Sequence, residues 1–97
     1  MDTLMMQFKF VPKGIKIGGT SFCGRIGDYT KTQISKVFGK SFPPTHDTTG
    51  EWHFTDERKR PYVVYDYKGS GWHVGAKSNN KHVKEFIAWF ESQMGDK

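Results

Sequence analysis

Lys77, Lys81, His82 and Lys84 fall within eight residues of one another, interleaved with Ser78, Asn79 and Asn80. Trp72-His-Val-Gly-Ala-Lys77 reads as a strand, and residues 80–94 follow with helical periodicity. A helix N-terminus is the positive end of the macrodipole and exposes unpaired backbone N–H groups, so acidic side chains are stabilising there. This helix is expected to open on lysines. Each costs about a few tenths of a kcal/mol unless an anion sits among them. Donors and cations aimed at one spot make a phosphate site. The spacing therefore predicts an anion site built from Lys77, Ser78, Asn79, Asn80, Lys81 and Lys84. The plain alternative is a solvated helix end whose charge is offset by Glu85 and Glu91.

Arg58-Lys-Arg60 forms a second basic cluster beside Asp56 and Glu57, and a basic loop tip of this kind can touch phosphates. Trp72 and His73 are candidates to stack on a base or hydrogen-bond to it, since an aromatic sheet face flanked by lysine can hold nucleotides. The competing use of Tyr62, Tyr65, Tyr67, Trp52, Trp72 and His73 is as core, with exposure of one or two. Other chemistries find less support. His46, His53, His73 and His82 lack paired metal spacing, and Cys23 is alone. His46-Asp47 with Asp56-Glu57 is a remote Mg²⁺ option. Gly14, Gly18 and Gly19 do not form a phosphate-loop or dinucleotide fingerprint. With no nucleophile–base pair at defensible spacing, the expectation is a protein that is not an enzyme and needs no metal or cofactor.

The elements that must position these residues fit into 97 residues, enough for one domain over residues 1–97 with a small core. Residues 1–6 and 95–97 are expected to fray. Aromatic residues make up 15% of the chain and fill a core at low residue count. The formal net charge is +5 and the pI about 9.4, a balance that favours polyanions. The excess lies in residues 1–40, with seven Lys or Arg against two acids. A single cysteine excludes an internal disulfide and fits a reducing compartment. No secretory signal or membrane-length apolar run is visible, so a soluble, cytoplasmic protein is expected.

Residues 5–11 alternate Phe8 and Phe10 against polar neighbours, and residues 15–17 resume the alternation after a Pro12-Lys-Gly14 turn. Residues 20–26 are a third short strand weakened by Gly24. Thr30-Lys-Thr-Gln33 fits a capping box, Tyr29 and Ile34 a hydrophobic staple, and Gly39 a helix stop. Residues 40–50 are loop. Strands follow at 51–55, 62–67 and 72–74, forming a three-stranded antiparallel meander. The last helix, residues 80–94, carries Val83, Phe86, Ile87, Phe90 and Met94 on one stripe with Trp89 off it. The whole reads as an α+β two-layer sandwich: short N-terminal strands, a short helix, the meander, and a longer C-terminal helix packed on the sheet.

Lys36-Val-Phe-Gly-Lys-Ser-Phe-Pro43, Glu51-Trp-His-Phe54, Val64-Tyr-Asp-Tyr-Lys68 and Trp72-His-Val-Gly75 together resemble a group of small uncharacterised proteins encoded by phages and other DNA viruses. That resemblance implies a viral accessory protein and no chemistry. The helix–three strands–helix order of residues 30–94 also resembles the layout of the double-stranded-RNA-binding domain. There Ser78, Lys81 and Lys84 would grip phosphates. The expected function is a small non-enzymatic viral accessory protein that binds a phosphate-bearing ligand, nucleic acid above all, with no membrane partner. The alternative is a protein–protein module that inhibits or redirects a host factor, for which surplus aromatics would serve as anchors.

Overall fold

Trp52 and Phe54, Tyr62 and Val64, and Trp72 and Val74 each alternate with residues of the opposite face, and their segments form the centre of one sheet. The computed structural model describes residues 6–45 and 47–95. His46 and most of the expected frayed ends lie outside these residues. The elements are β1 (Phe8–Phe10), β2 (Thr20–Arg25), α1 (Lys31–Phe38), β3 (Thr48–Asp56), β4 (Pro61–Tyr67), β5 (Trp72–Lys77) and α2 (Val83–Met94). All five strands pair antiparallel in the order β1-β3-β4-β5-β2. The meander is the predicted one, and the two N-terminal strands flank it on opposite edges. The architecture is α+β, as the sequence predicts.

α1 shows its predicted capping box. The Gln33 N–H donates to Thr30 Oγ1 at 3.0 Å and the Thr30 N–H to Gln33 Oε1 at 2.8 Å. Two indoles hold its ends. Trp72 Nε1 donates to the Tyr29 carbonyl at 2.6 Å and Trp52 Nε1 to the Gly39 carbonyl at 2.9 Å. Glu91 on α2 fastens the preceding loop, accepting from the Tyr29 hydroxyl and from the Gly27 N–H.

Both helices pack on the face carrying Phe8, Trp52, Phe54, Tyr62, Val64, Trp72, Val74 and Ala76. From α2, Phe86, Phe90 and Met94 are buried. Trp89 was expected off the stripe but packs inward, with ring centroids 5.6 Å from Phe8 and 5.8 Å from Phe38. The reason is that α2 is flanked by both β1 and α1, so its buried arc is wider than a single stripe. Tyr62 stacks on Phe86 at 4.7 Å, and Phe54 meets Phe86, Phe90 and Trp89 edge-on.

The predicted strand at residues 15–17 does not form. The edge strands β1 and β2 each pair on their inner side alone, and the segment joins neither. The chain instead turns at Gly14 (φ +87°) and crosses the sheet's other face towards β2. Ile15 and Ile17 still half-bury their side chains there. The Ile15 N–H donates to His53 Nδ1 at 3.1 Å, which fastens this crossing to the sheet.

Phe54 is fully buried among five aromatic neighbours. Phe54→Ala is expected to cost about 3–5 kcal/mol in urea unfolding. Phe22→Ala, at a residue 57% exposed, should cost less than about 1 kcal/mol by the same measurement.

Candidate anion-binding site

One end of the sheet is where β3 turns into β4 and β5 runs out towards α2. Asp56, the last residue of β3, is only 2% exposed. A buried carboxylate stays ionised only if it is paired and hydrogen-bonded. Asp56 Oδ1 accepts from the N–H groups of Arg58 (2.9 Å) and Arg60 (3.1 Å). Its Oδ2 accepts from Arg60 Nε (2.6 Å) and the Tyr62 hydroxyl (2.8 Å). Burial alone would raise the Asp56 pKa, but the bonds from Arg60, Tyr62 and Arg58 together hold it below its ordinary 3.8. Burial pushes the Tyr62 hydroxyl up to about 12. The Asn80 amide beside it pulls the value down, and the Asp56 carboxylate adds to the rise.

The link from β5 to α2 is shaped by Asn80. Its own N–H donates to the Lys77 carbonyl at 2.9 Å, and its Oδ1 accepts from the His82 N–H at 2.6 Å. This local side-chain turn delays the helix, a usual effect of asparagine. α2 therefore starts at Val83 with His82 as N-cap, rather than at the predicted residue 80. Lys81 stands before the helix, and Glu85 occupies its first turn, with Oε1 2.5 Å from His82 Nδ1. The expected opening on lysines is thus corrected in part: Lys81 precedes the helix, and the first turn carries Lys84 together with Glu85, the offset that the plain alternative names.

The cations meet in a different way. Arg60, Lys77, Asn79, Asn80, Lys81 and His82 line a basin of about 440 Å³ with no acidic side chain in its wall. Its parts come from the β3–β4 turn, the end of β5 and the approach to α2. Arg60 is steered there by Asp56. Lys77 lies along the crossing segment, where a side chain at Gly19 (φ +84°) would meet Lys77 Nζ at 3.2 Å. The buried Asn80 Nδ2 sits beside the Tyr62 hydroxyl without completing a hydrogen bond.

The two predicted clusters therefore converge in part. Arg60 joins Lys77, Asn79, Asn80 and Lys81. Arg58, Ser78 and Lys84 are exposed and do not line the basin. Lys59 takes a left-handed backbone (φ +65°) and faces a separate depression with Gln7, Phe8, Lys9 and Glu57. Trp72 and His73 are corrected outright. Trp72 is 7% exposed and packs on Trp52 at 5.3 Å on the helix side. His73 is 8% exposed on the other face, wedged edge-on between Phe22 and Tyr65. Neither can stack on a ligand. His82, which the sequence reading placed at the helix start but outside the site, belongs to the basin wall.

Among the described residues no three His, Cys, Asp or Glu side chains gather as a metal site requires, and no helix is long and apolar enough to cross a membrane. Asp56, part of the Mg²⁺ option, is committed to Arg60 and Tyr62, while His46 lies outside the described residues. Compared with known proteins, the chain matches no family model, no curated protein and no solved structure.

The network beneath the basin, with the Tyr29–Glu91 pair before α1, predicts a two-sided stability profile. Asp56 has a depressed pKa, so its contribution is present above 3.8 and is lost as pH falls through the lower folded value. Tyr62 and Tyr29 are each raised to about 12, so theirs are present below 10.0 and are lost as pH climbs from 10.0 to about 12. Urea unfolding across pH should show both flanks, and Tyr62→Phe should shrink the alkaline one to the share of Tyr29. An alkaline flank unchanged in Tyr62→Phe would contradict the assignment.

Proposed function

We propose that this protein binds a phosphate-bearing ligand, nucleic acid above all, through the basin at the β3–β4 turn and the α2 approach, and catalyses no reaction. The observation that carries the proposal is the meeting of Arg60, Lys77 and Lys81 in one concavity without a carboxylate in its wall. Lys77 and Lys81 act as point charges towards phosphate oxygens, Arg60 adds its remaining guanidinium donors, and the Asn79 amide adds neutral ones.

The contacts of the acids among the described residues bear on the same reading. Glu51 and Glu85 are held by His53 and His82, Glu91 by Tyr29 and Gly27, and Asp66 by Thr49. Arg60 is the sole Lys or Arg in an ion pair among the described residues. Asp28, Asp47 and Glu57 stay exposed, and a hydrogen bond from a neutral donor leaves a carboxylate's charge in place, so the outward field is basic through the formal net charge of +5.

With Trp72 and His73 buried, contact falls on phosphates rather than bases, and binding is indifferent to sequence. The viral accessory setting, in the cytoplasm of a host cell, rests on the short-motif resemblance alone.

Affinity for duplex and single-stranded DNA and RNA of unrelated sequence should be similar within each type. It should fall with salt at a log–log slope of about −2 to −3, as for roughly three phosphates neutralised. Lys77→Gln with Lys81→Gln should weaken binding to all of them and reduce the slope by about 2, while stability moves by less than about 0.5 kcal/mol. A slope near zero in the unaltered protein, or no binding to any of these polymers, overturns the proposal.

A further inference from the structure

The other end of the sheet carries the larger concavity. Where β3 begins, α1 and residues 40–44 face each other across a groove of about 740 Å³. One wall is α1, through Lys31, Ser35 and Lys36. The other is Phe42-Pro43-Pro44, with Lys40 at the junction. The seven residues of β4, about 23 Å at the usual rise, separate this end from the basin.

We propose that this groove docks an extended acidic peptide segment of a partner protein. The first ground is charge. The lining holds Lys31, Lys36 and Lys40 and no carboxylate, and α1 contains no acidic residue anywhere along its length. Lys31 is fixed by a 2.8 Å bond from its Nζ to the Thr49 carbonyl. Lys36 and Lys40 have no ion pair among the described residues. An acidic segment supplies the counter-charge that the chain withholds.

The second ground is the form of the far wall. Phe42 is held by its N–H to the Glu51 carbonyl at 3.0 Å and by edge contact with His53 at 4.5 Å. Pro43 and Pro44 fix their own φ and carry no N–H. The wall is therefore rigid, apolar and poor in donors, and little entropy is lost when something lies along it. An extended peptide matches it, setting alternate apolar side chains on the proline strip and alternate carboxylates under the lysines.

The third ground separates a peptide from nucleic acid. Base binding needs an open aromatic face, and the one ring in this lining, Phe42, is half-buried against His53. A polyphosphate backbone would engage the lysines and leave the proline strip unused.

Amide shifts of the isotope-labelled full-length chain, titrated with a short synthetic peptide alternating glutamate and leucine, test this. Shifts are expected at Lys36, Lys40, Ser41 and Phe42, and none from the same peptide with lysine in place of glutamate. Lys36→Glu with Lys40→Glu, on an exposed rim, should lower peptide affinity tenfold or more while circular dichroism stays unchanged. Lys77→Gln with Lys81→Gln should leave peptide binding intact, which keeps this result separate from the fate of the basin. The proposal is overturned by no shifts at millimolar peptide, by shifts centred on Lys77 and Lys81 instead, or by a short DNA duplex perturbing the groove more strongly than the peptide.

Discussion

A charged carboxylate at the end of β3 is removed from water, and that one burial sets much of the rest. Asp56 must be given donors wherever it sits, because an ion left bare in the interior is not tolerated. It takes two from the backbone of the following turn, one from Arg60 and one from Tyr62. The backbone pair winds the turn tightly enough to force Lys59 into the left-handed region. The tyrosine bond fixes a ring whose face then stacks on Phe86, tying β4 to α2. The guanidinium is left at the mouth of the basin. Core packing, turn geometry and a site residue are thus three consequences of one desolvated ion.

The opposite end is governed by indoles. α1 has eight residues, well short of the roughly 12–15 that a helix needs to persist alone. Trp72 and Trp52 reach it from two different strands and bond to the residues just before and just after it. A tryptophan buried on its body and bonded at its N–H can do both jobs at once. Because the Gly39 carbonyl is held in this way, the chain leaves α1 in a fixed direction and residues 40–44 lie across from it as a wall. Trp72 was legible from sequence as an aromatic near a basic cluster. Its role proves to be at the far end of its own side chain, in the support of a helix.

What could be read from the sequence is what neighbouring residues decide between themselves. The capping box of Thr30 and Gln33, the Gly39 stop and the two faces of β4, with Tyr62, Val64 and Asp66 opposed to Tyr65 and Tyr67, are all local. Long-range competition decided the rest. Residues 15–17 alternate like a strand and bury their isoleucines like one, but β1 and β2 lie on opposite edges and leave no open ladder between them. Trp89 looks peripheral on a helical projection until α1 supplies a second wall. The candidate anion site shows the same division. Lys77, Asn79, Asn80 and Lys81 were legible as a cluster because they are adjacent in sequence. Arg60 joins them, and its neighbours Arg58 and Lys59 do not, because Asp56 holds one guanidinium while the turn sends the other cations elsewhere. Asn80 moves the helix start through a hydrogen bond to His82 that spacing alone does not reveal.

The crossing segment explains why the concavities lie at the ends of the sheet. A five-stranded sheet with helices on one face leaves the other open, and here that face carries Tyr65, Tyr67, His53 and His73, the makings of a stacking platform. His53 closes part of it. Its Nδ1 accepts the Ile15 N–H, so in the neutral ring the proton resides on Nε2, which donates to Glu51 Oε2 at 2.5 Å. With both nitrogens committed, the histidine is a clasp and not a base. The segment it holds lies over Val63 and Gly75 and runs on to Gly19, where Lys77 rests. A chain that must travel from one edge strand to the other has to pass over a face, and the helices occupy the first. Once it covers the second, cationic side chains can gather around open space chiefly where strands end, and that is where both the basin and the groove are found.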